Sequence, residues 1–193
     1  MGAAVDKALR LFHGRGYDAV GVAELGAALG VNPPSLYAAF GSKMGLFRQA
    51  VARYAAGPGN VFAQSRGKGG TVAEVVERTL RMAARLYPAH DGIAGCLILE
   101  NACSSADPEA RSLAQATQAE GAAALRAFIA TEYPARAGEL AELVTIALAG
   151  MSAAARGGAG EAALTRFAAA ASRAFRQEAA GAPAVPAKQR GRR

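Results

Sequence analysis

Val22-Ala23-Glu24-Leu25-Gly26-Ala27-Ala28-Leu29-Gly30-Val31-Asn32-Pro33-Pro34-Ser35-Leu36-Tyr37-Ala38-Ala39-Phe40 holds two short amphipathic segments on either side of a glycine break. Val22, Leu25, Ala28 and Leu29 recur at helical spacing and predict a helix over 22–29. Gly30 ends it, because glycine takes the left-handed C-terminal cap at little cost. Asn32 is placed to cap a second helix, and a proline at 33 or 34 suits that helix's first turn. Leu25, Leu29, Val31 and Leu36 face the turn, so the second helix braces against the first and projects its other side. Two helices so arranged make a helix-turn-helix, a motif that lays its second helix in the DNA major groove with the N-terminal residues at base edges. An ordinary helical hairpin in a core shares the pattern.

The flanking sequence is helical as well. Val5, Ala8, Leu9 and Phe12 predict a helix over 3–13, stopped by Gly14 and Gly16. Ser42 caps another running to Ala56, with Leu46, Phe47, Ala50, Val51 and Tyr54 turned inward, and Gly57-Pro58-Gly59 breaks it. The glycine-rich stretch 57–70 reads as a connection with a helical turn near Val61–Ser65. Thr71 and Glu74 form a capping-box pattern before a helix over 71–87, which Pro88 ends. Gly92–Ser104 reads as a short helix or helical turn. Asp107-Pro108 opens a helix to about Glu132, and two alanine-rich helices over 136–156 and 161–179 close the chain. Aromatics are 6% and Trp is absent, so strand-forming runs are scarce and the fold class is all-α.

The wider string Leu11-Phe12-His13-Gly14-Arg15-Gly16-Tyr17, then Leu25…Leu29-Gly30-Val31, then Ser35-Leu36-Tyr37-Ala38-Ala39-Phe40-Gly41-Ser42-Lys43, then Leu46-Phe47, resembles the TetR family of transcriptional regulators. Gly95-Cys96-Leu97 looks like a string found in some of its members. The resemblance implies a helix-turn-helix DNA-binding domain over 1–56, a larger helical ligand-binding and dimerisation domain over 57–180, and leaves 181–193 as a basic disordered tail. It implies a homodimer that binds a palindromic double-stranded DNA operator, as a repressor by default, and is released by a small apolar or amphipathic effector.

The same resemblance assigns residues. Pro34, Ser35 and Tyr37 fall where family members contact bases or phosphates, and Lys43 where they clamp a phosphate at a helix N-terminus. Gly21 and Val22 begin the second helix, where many members carry a phosphate-touching Ser or Thr. The dimer interface falls on the last two helices: Leu140, Leu143, Val144, Ala147, Leu148 and Met151, with Leu164, Phe167, Ala168, Ala171 and Phe175. An intramolecular core is the other use for these residues. The effector cavity would be lined by Met82, Leu86, Tyr87, Leu97, Glu100, Phe128 and Met151. Ala38 and Ala39 replace larger side chains that often read bases, so DNA shape and water-mediated contacts carry more of the specificity. A second reading is a dimeric ligand-sensing or interaction module that has lost sequence-specific DNA binding.

The net charge of +7 is +3 over 1–56, zero over 57–180 and +4 over 181–193. A basic N-terminal unit suits a polyanion. Two cysteines, Cys96 and Cys103, make no disulfide framework. Seven residues apart, they share a face of a continuous helix, as a thiol switch or as two buried apolar residues. His13 and His90 stand alone, and no metal is expected. The chain lacks GxSxG, P-loop, dinucleotide-fingerprint and HExxH strings, so no enzyme and no cofactor is expected. No signal-peptide pattern and no run of about 18 apolar residues is visible. The expected setting is the bacterial cytoplasm, with no membrane partner.

Overall fold

The computed structural model describes residues 2–57 and 59–181. Its helices are α1 (Gly2–Arg15), α2 (Val22–Leu29), α3 (Pro33–Phe40), α4 (Lys43–Ala56), α5 (Val61–Arg66), α6 (Val72–Leu86), α7 (Leu97–Ser104), α8 (Pro108–Ile129), α9 (Ala137–Arg156) and α10 (Glu161–Ala180). A 3-10 turn at Pro134–Arg136 leads into α9. No strand occurs among the described residues, only an isolated bridge between His90 and Ile93. The reading of 181–193 as a basic tail concerns residues that, Gly181 apart, lie outside the described ones.

The turn between α2 and α3 has a steric basis. Gly30 takes φ 71°, and the Val31 N–H reaches back to the Gly26 carbonyl at 3.0 Å. A β-carbon at Gly26 would stand 2.8 Å from the Val31 carbonyl oxygen, so the turn closes this tightly only over glycine. Asn32 Oδ1 accepts from the Ser35 N–H at 2.9 Å and starts α3. Leu25 and Leu36 are fully buried where the two helices meet. Behind them α1 packs on α4. Phe12 meets Phe47 edge-on at 5.1 Å, and Tyr17 lies 4.8 Å from Phe47.

α6 opens with the expected capping box. The Thr71 hydroxyl accepts from the Glu74 N–H at 3.3 Å, and the Glu74 carboxylate accepts from the Thr71 N–H at 2.9 Å. Val72, Val75, Val76, Leu80 and Ala83 form its buried side, packed chiefly against Leu164, Ala168, Ala171 and Phe175 of α10. The buried apolar residues join into one cluster running from Val5 to Ala179.

Two expectations need correction. The segment Gly92–Cys96 is not helical: Asp91, Gly92 and Gly95 take positive φ, and His90 and Ile93 exchange backbone hydrogen bonds of 3.0 Å. That turn makes Cys96 the residue before α7, buried, while Cys103 is exposed. They neither share a helix face nor are both buried. α8 stops at Ile129 rather than Glu132, and the Tyr133 N–H bonds back to the Ile129 carbonyl at 2.9 Å.

The segment Pro134–Arg156 is, by length and mean hydropathy of 1.3, apolar enough to cross a membrane, although acidic residues interrupt it at Glu139 and Glu142. Here that apolarity packs α9 against α6, α8 and α10.

Candidate DNA-binding face and adjoining cavities

Pro34, Ser35 and Tyr37 are exposed along α3, Tyr37 at 47%. Leu36 between them is the buried anchor, so the helix presents one side outward and fixes itself with the other. Ala38 and Ala39 are exposed and offer only methyl groups. Gly21 precedes α2 and supplies no side-chain cap, while Val22 is half-buried. Ser42 caps α4 through the Gly45 N–H at 2.9 Å, with Lys43 in the first turn. The Lys43 ammonium lies 4.0 Å from the centre of the Tyr17 ring. Burial there lowers its pKa, against the opposing charges of Asp18 and Asp107.

The helix-turn-helix unit is tied to the remaining helices by a polar seam centred on α7, which sequence reasoning missed. Asp18 accepts from the N–H groups of Ala106 (2.8 Å) and Asp107 (3.2 Å) and from the Ser105 hydroxyl (3.2 Å). The Tyr17 N–H donates to the buried Asn101 side chain at 3.0 Å. His13 Nε2 donates to the Gly95 carbonyl at 3.1 Å, which fixes the tautomer. Arg156 donates to the His13 carbonyl at 3.1 Å and pairs with Glu100 at 2.9 Å.

Two of these groups make the seam sensitive to acid. Burial lowers the His13 pKa, and the Arg156 charge adds to this against the Gly95 hydrogen bond. Burial alone would raise the Asp18 carboxyl, but the N–H donors of Ala106 and Asp107, the Ser105 hydroxyl and Lys43 hold it below the usual value. A base with a depressed native pKa is kept neutral by folding, so its contribution is complete above about pH 6.5 and declines below. A carboxylate with a depressed native pKa contributes above about pH 4 and loses this as pH falls through the native value. Melting temperature followed against pH is expected to fall in two stages. His13→Gln is expected to remove the first and Asp18→Asn the second; an unchanged profile in either variant would show that the group does not report on docking.

A cavity of about 630 Å³ opens between α5, α7, α8 and α9, with Val61, Phe62, Ile98, Leu99, Leu125 and Leu148 on its wall. A second, of about 540 Å³, lies between α1, α4 and the end of α6; Gly59, Val61 and Tyr87 border both. Of the residues expected to line an effector site, Tyr87 lies on the wall of the larger cavity and Leu86 on the smaller. Met82 is half-buried, Leu97 and Met151 are sealed in the core, Glu100 is paired with Arg156, and Phe128 stands behind Phe62 at 5.7 Å.

The outer side of α9 and α10 carries a shallow apolar groove of Leu143, Ile146, Ala147, Gly150, Phe167, Ala170, Ala171 and Ala174. Ile146 is 70% exposed and Phe167 46%. Leu140, Val144, Met151, Leu164, Ala168 and Phe175, expected in a dimer interface, are buried within the subunit, because one side of each helix is spent on the subunit's own packing. Leu148 is half-buried and faces the larger cavity.

Comparison with known proteins follows the same lines. The family described as bacterial regulatory proteins, tetR family, matches residues 4–50. The HTH-type transcriptional repressor BdcR of Escherichia coli (strain K12) is 39% identical over 155 residues, covering 80% of this chain and 78% of that protein. ComR, an HTH-type transcriptional repressor of the same organism, is 31% identical over 172 residues, covering 81% and 80%. A solved cysteine mutant of the TetR family regulator CifR, complexed with 26-bp double-strand operator DNA, superposes with a TM-score of 0.81 at 30% identity, over 89% of this chain and 95% of that one. The fold and its N-terminal face are those of a helix-turn-helix transcriptional regulator. The chain belongs to the TetR family.

Proposed function

We propose that the chain is a dimeric repressor that reads a palindromic operator through α3 and releases it when an apolar or amphipathic small molecule fills the cavity between α5, α7, α8 and α9. Residues 1–56 do the reading, and 57–180 the sensing and dimerisation. The observation that carries this is the outward side of α3: Pro34, Ser35 and Tyr37 stand exposed over a buried Leu36, beside the N-terminus of α4. Backbone N–H groups at that N-terminus and the Lys43 ammonium suit a phosphate, while Ser35 and Tyr37 reach base edges or sugar. Operator-bound CifR and the repressors BdcR and ComR support the reading.

The cavity supports the effector's class. Its wall is mainly aliphatic and aromatic, with Asn60, Thr117, Gln118 and Thr145 as uncharged polar groups and Arg66 and Glu120 as charged ones. Such a lining favours a molecule with an apolar body. A ligand that spreads α7 from α8 acts on the helix that holds Tyr17 and on the segments either side of it that hold His13 and Asp18, and shifts the dimer away from the DNA-competent state.

The test is enrichment of DNA from a random pool by the purified protein at near-physiological salt. A palindromic consensus is expected. The triple variant Ser35→Ala, Tyr37→Ala, Lys43→Ala is expected to lose at least about 100-fold in affinity for it, roughly 1 kcal/mol per contact. A folded dimer that enriches nothing would instead favour a sensing module without sequence-specific DNA binding.

A further inference from the structure

Where the two cavities meet, three side chains converge whose chemistry non-covalent binding does not use. Cys96 and Tyr87 are on the wall of the larger cavity, and Tyr54 is on that of the smaller. Both tyrosine hydroxyls lie beside the Cys96 thiol, and Tyr54 also lies beside the Leu97 N–H. The residue is also held in place: the Cys96 N–H donates to the Ser152 hydroxyl at 2.8 Å, and Gly95 before it is fixed by His13. Burial first, and then the neighbouring Cys96, push both tyrosines well above their usual range, so each keeps its proton to donate.

A thiol beside two hydroxyl donors, in a cavity of mainly apolar wall, is arranged for addition to a carbonyl. Taking the cavity as the effector site, we propose that Cys96 captures an apolar aldehyde reversibly as a hemithioacetal, with Tyr54 and Tyr87 holding the oxygen. The sulfur–carbon bond forms as the carbonyl π bond breaks. The thiol proton ends on the former carbonyl oxygen, relayed by a tyrosine hydroxyl, so no oxidant or further reactant is needed. The placement of the donors selects this class of electrophile. In direct addition the oxygen that gains charge is bonded to the attacked carbon, so it develops beside the sulfur, where the hydroxyls already are. In conjugate addition the oxygen lies two atoms further away. Val61, Ile98, Leu99 and Leu148 accommodate the alkyl chain.

The test uses the full-length protein without DNA and hexanal labelled with carbon-13 at the carbonyl, followed by NMR. A protein-bound sp3 resonance is expected in the wild type and, at equal intensity, in Cys103→Ser. It is expected to be absent from Cys96→Ser and from Cys103→Ser protein whose remaining thiol has been alkylated with iodoacetamide. The alkylated protein makes the result independent of how the serine variant folds. Tyr54→Phe with Tyr87→Phe is expected to weaken capture at least about tenfold. No resonance in the wild type, its survival without a free Cys96 thiol, or unchanged capture in the double phenylalanine variant would each overturn the proposal. Because DNA is absent, the outcomes separate from those of the effector reading. Release of operator by an unreactive ligand such as hexanol, with no hexanal adduct, leaves that reading standing and removes this one. An adduct that leaves operator binding unchanged does the reverse.

Discussion

Replacing Phe47 with alanine is expected to lower stability by about 3–5 kcal/mol, the range for removing a buried aromatic ring from a packed core. Phe47 is fully buried in α4, between the rings of Phe12 and Tyr17. Its loss leaves a cavity that neither ring fills without leaving its own packing. Domains of this kind are stable by about 5–15 kcal/mol, so the loss is a large part of the whole. Because the buried residues form one cluster from α1 to α10, the expectation is a single denaturant transition moved to lower concentration. Two separate transitions, with the second unmoved, would show that α1–α4 unfold independently of the rest.

The second large effect is expected on the outer side of α9 and α10. Ile146 and Phe167 are exposed large apolar residues around a groove otherwise built of small ones. Gly150, Ala170 and Ala174 would let a second pair of helices approach closely, and a two-fold interface would present every residue twice. Burying each large side chain contributes about 1.5–3 kcal/mol, whereas an unpaired carboxylate there costs several. Ile146→Glu with Phe167→Glu is therefore expected to raise the dimer dissociation constant by at least about 1,000-fold, or roughly 4 kcal/mol. Operator affinity is expected to collapse with it, since one helix-turn-helix holds only half a site. Sedimentation of the double variant checks this; a dimer as tight as the wild type would place the interface elsewhere. The two positions are on the surface, so the subunit fold is expected to persist.

How far the sequence could be read follows from the range of each interaction. The helix-turn-helix rests on contacts between residues a few positions apart, and the Leu25, Leu36 and Asn32 pattern locates it. The capping box of α6 is equally local. Periodicity also finds the apolar stripes of α9 and α10, but it cannot say which of two neighbours a stripe faces. Leu140, Val144, Leu164 and Phe175 fall to the subunit's own core for that reason, while the most exposed apolar residue of the groove, Ile146, is not distinguished from them by periodicity. The turn at 91–95 depends on glycines at positive φ that read equally well as flexible points in a helix. The seam is least legible. Asp18, Tyr17 and His13 find partners more than eighty positions away, and a single acid, a backbone N–H and an isolated histidine make no pattern. The cavity wall has the same difficulty: Tyr87 and Cys96 come to Tyr54 only through the packing of distant segments, α4 against α7 among them.

The seam bears on how regulators of this architecture diversify. A gene fusion that swaps the first four helices for those of a relative exchanges the DNA address. It does not automatically exchange the hearing. Asp18 must find the amides that begin α8, Tyr17 must find Asn101, and His13 must find Gly95. A transplanted head lacking those three matches would keep its own recognition helix but would not be held to the remaining helices at this seam. An exchange of these helices is thus constrained at a few positions either side of α7. In this chain an exchanged head and a retained body would be joined by a handful of hydrogen bonds.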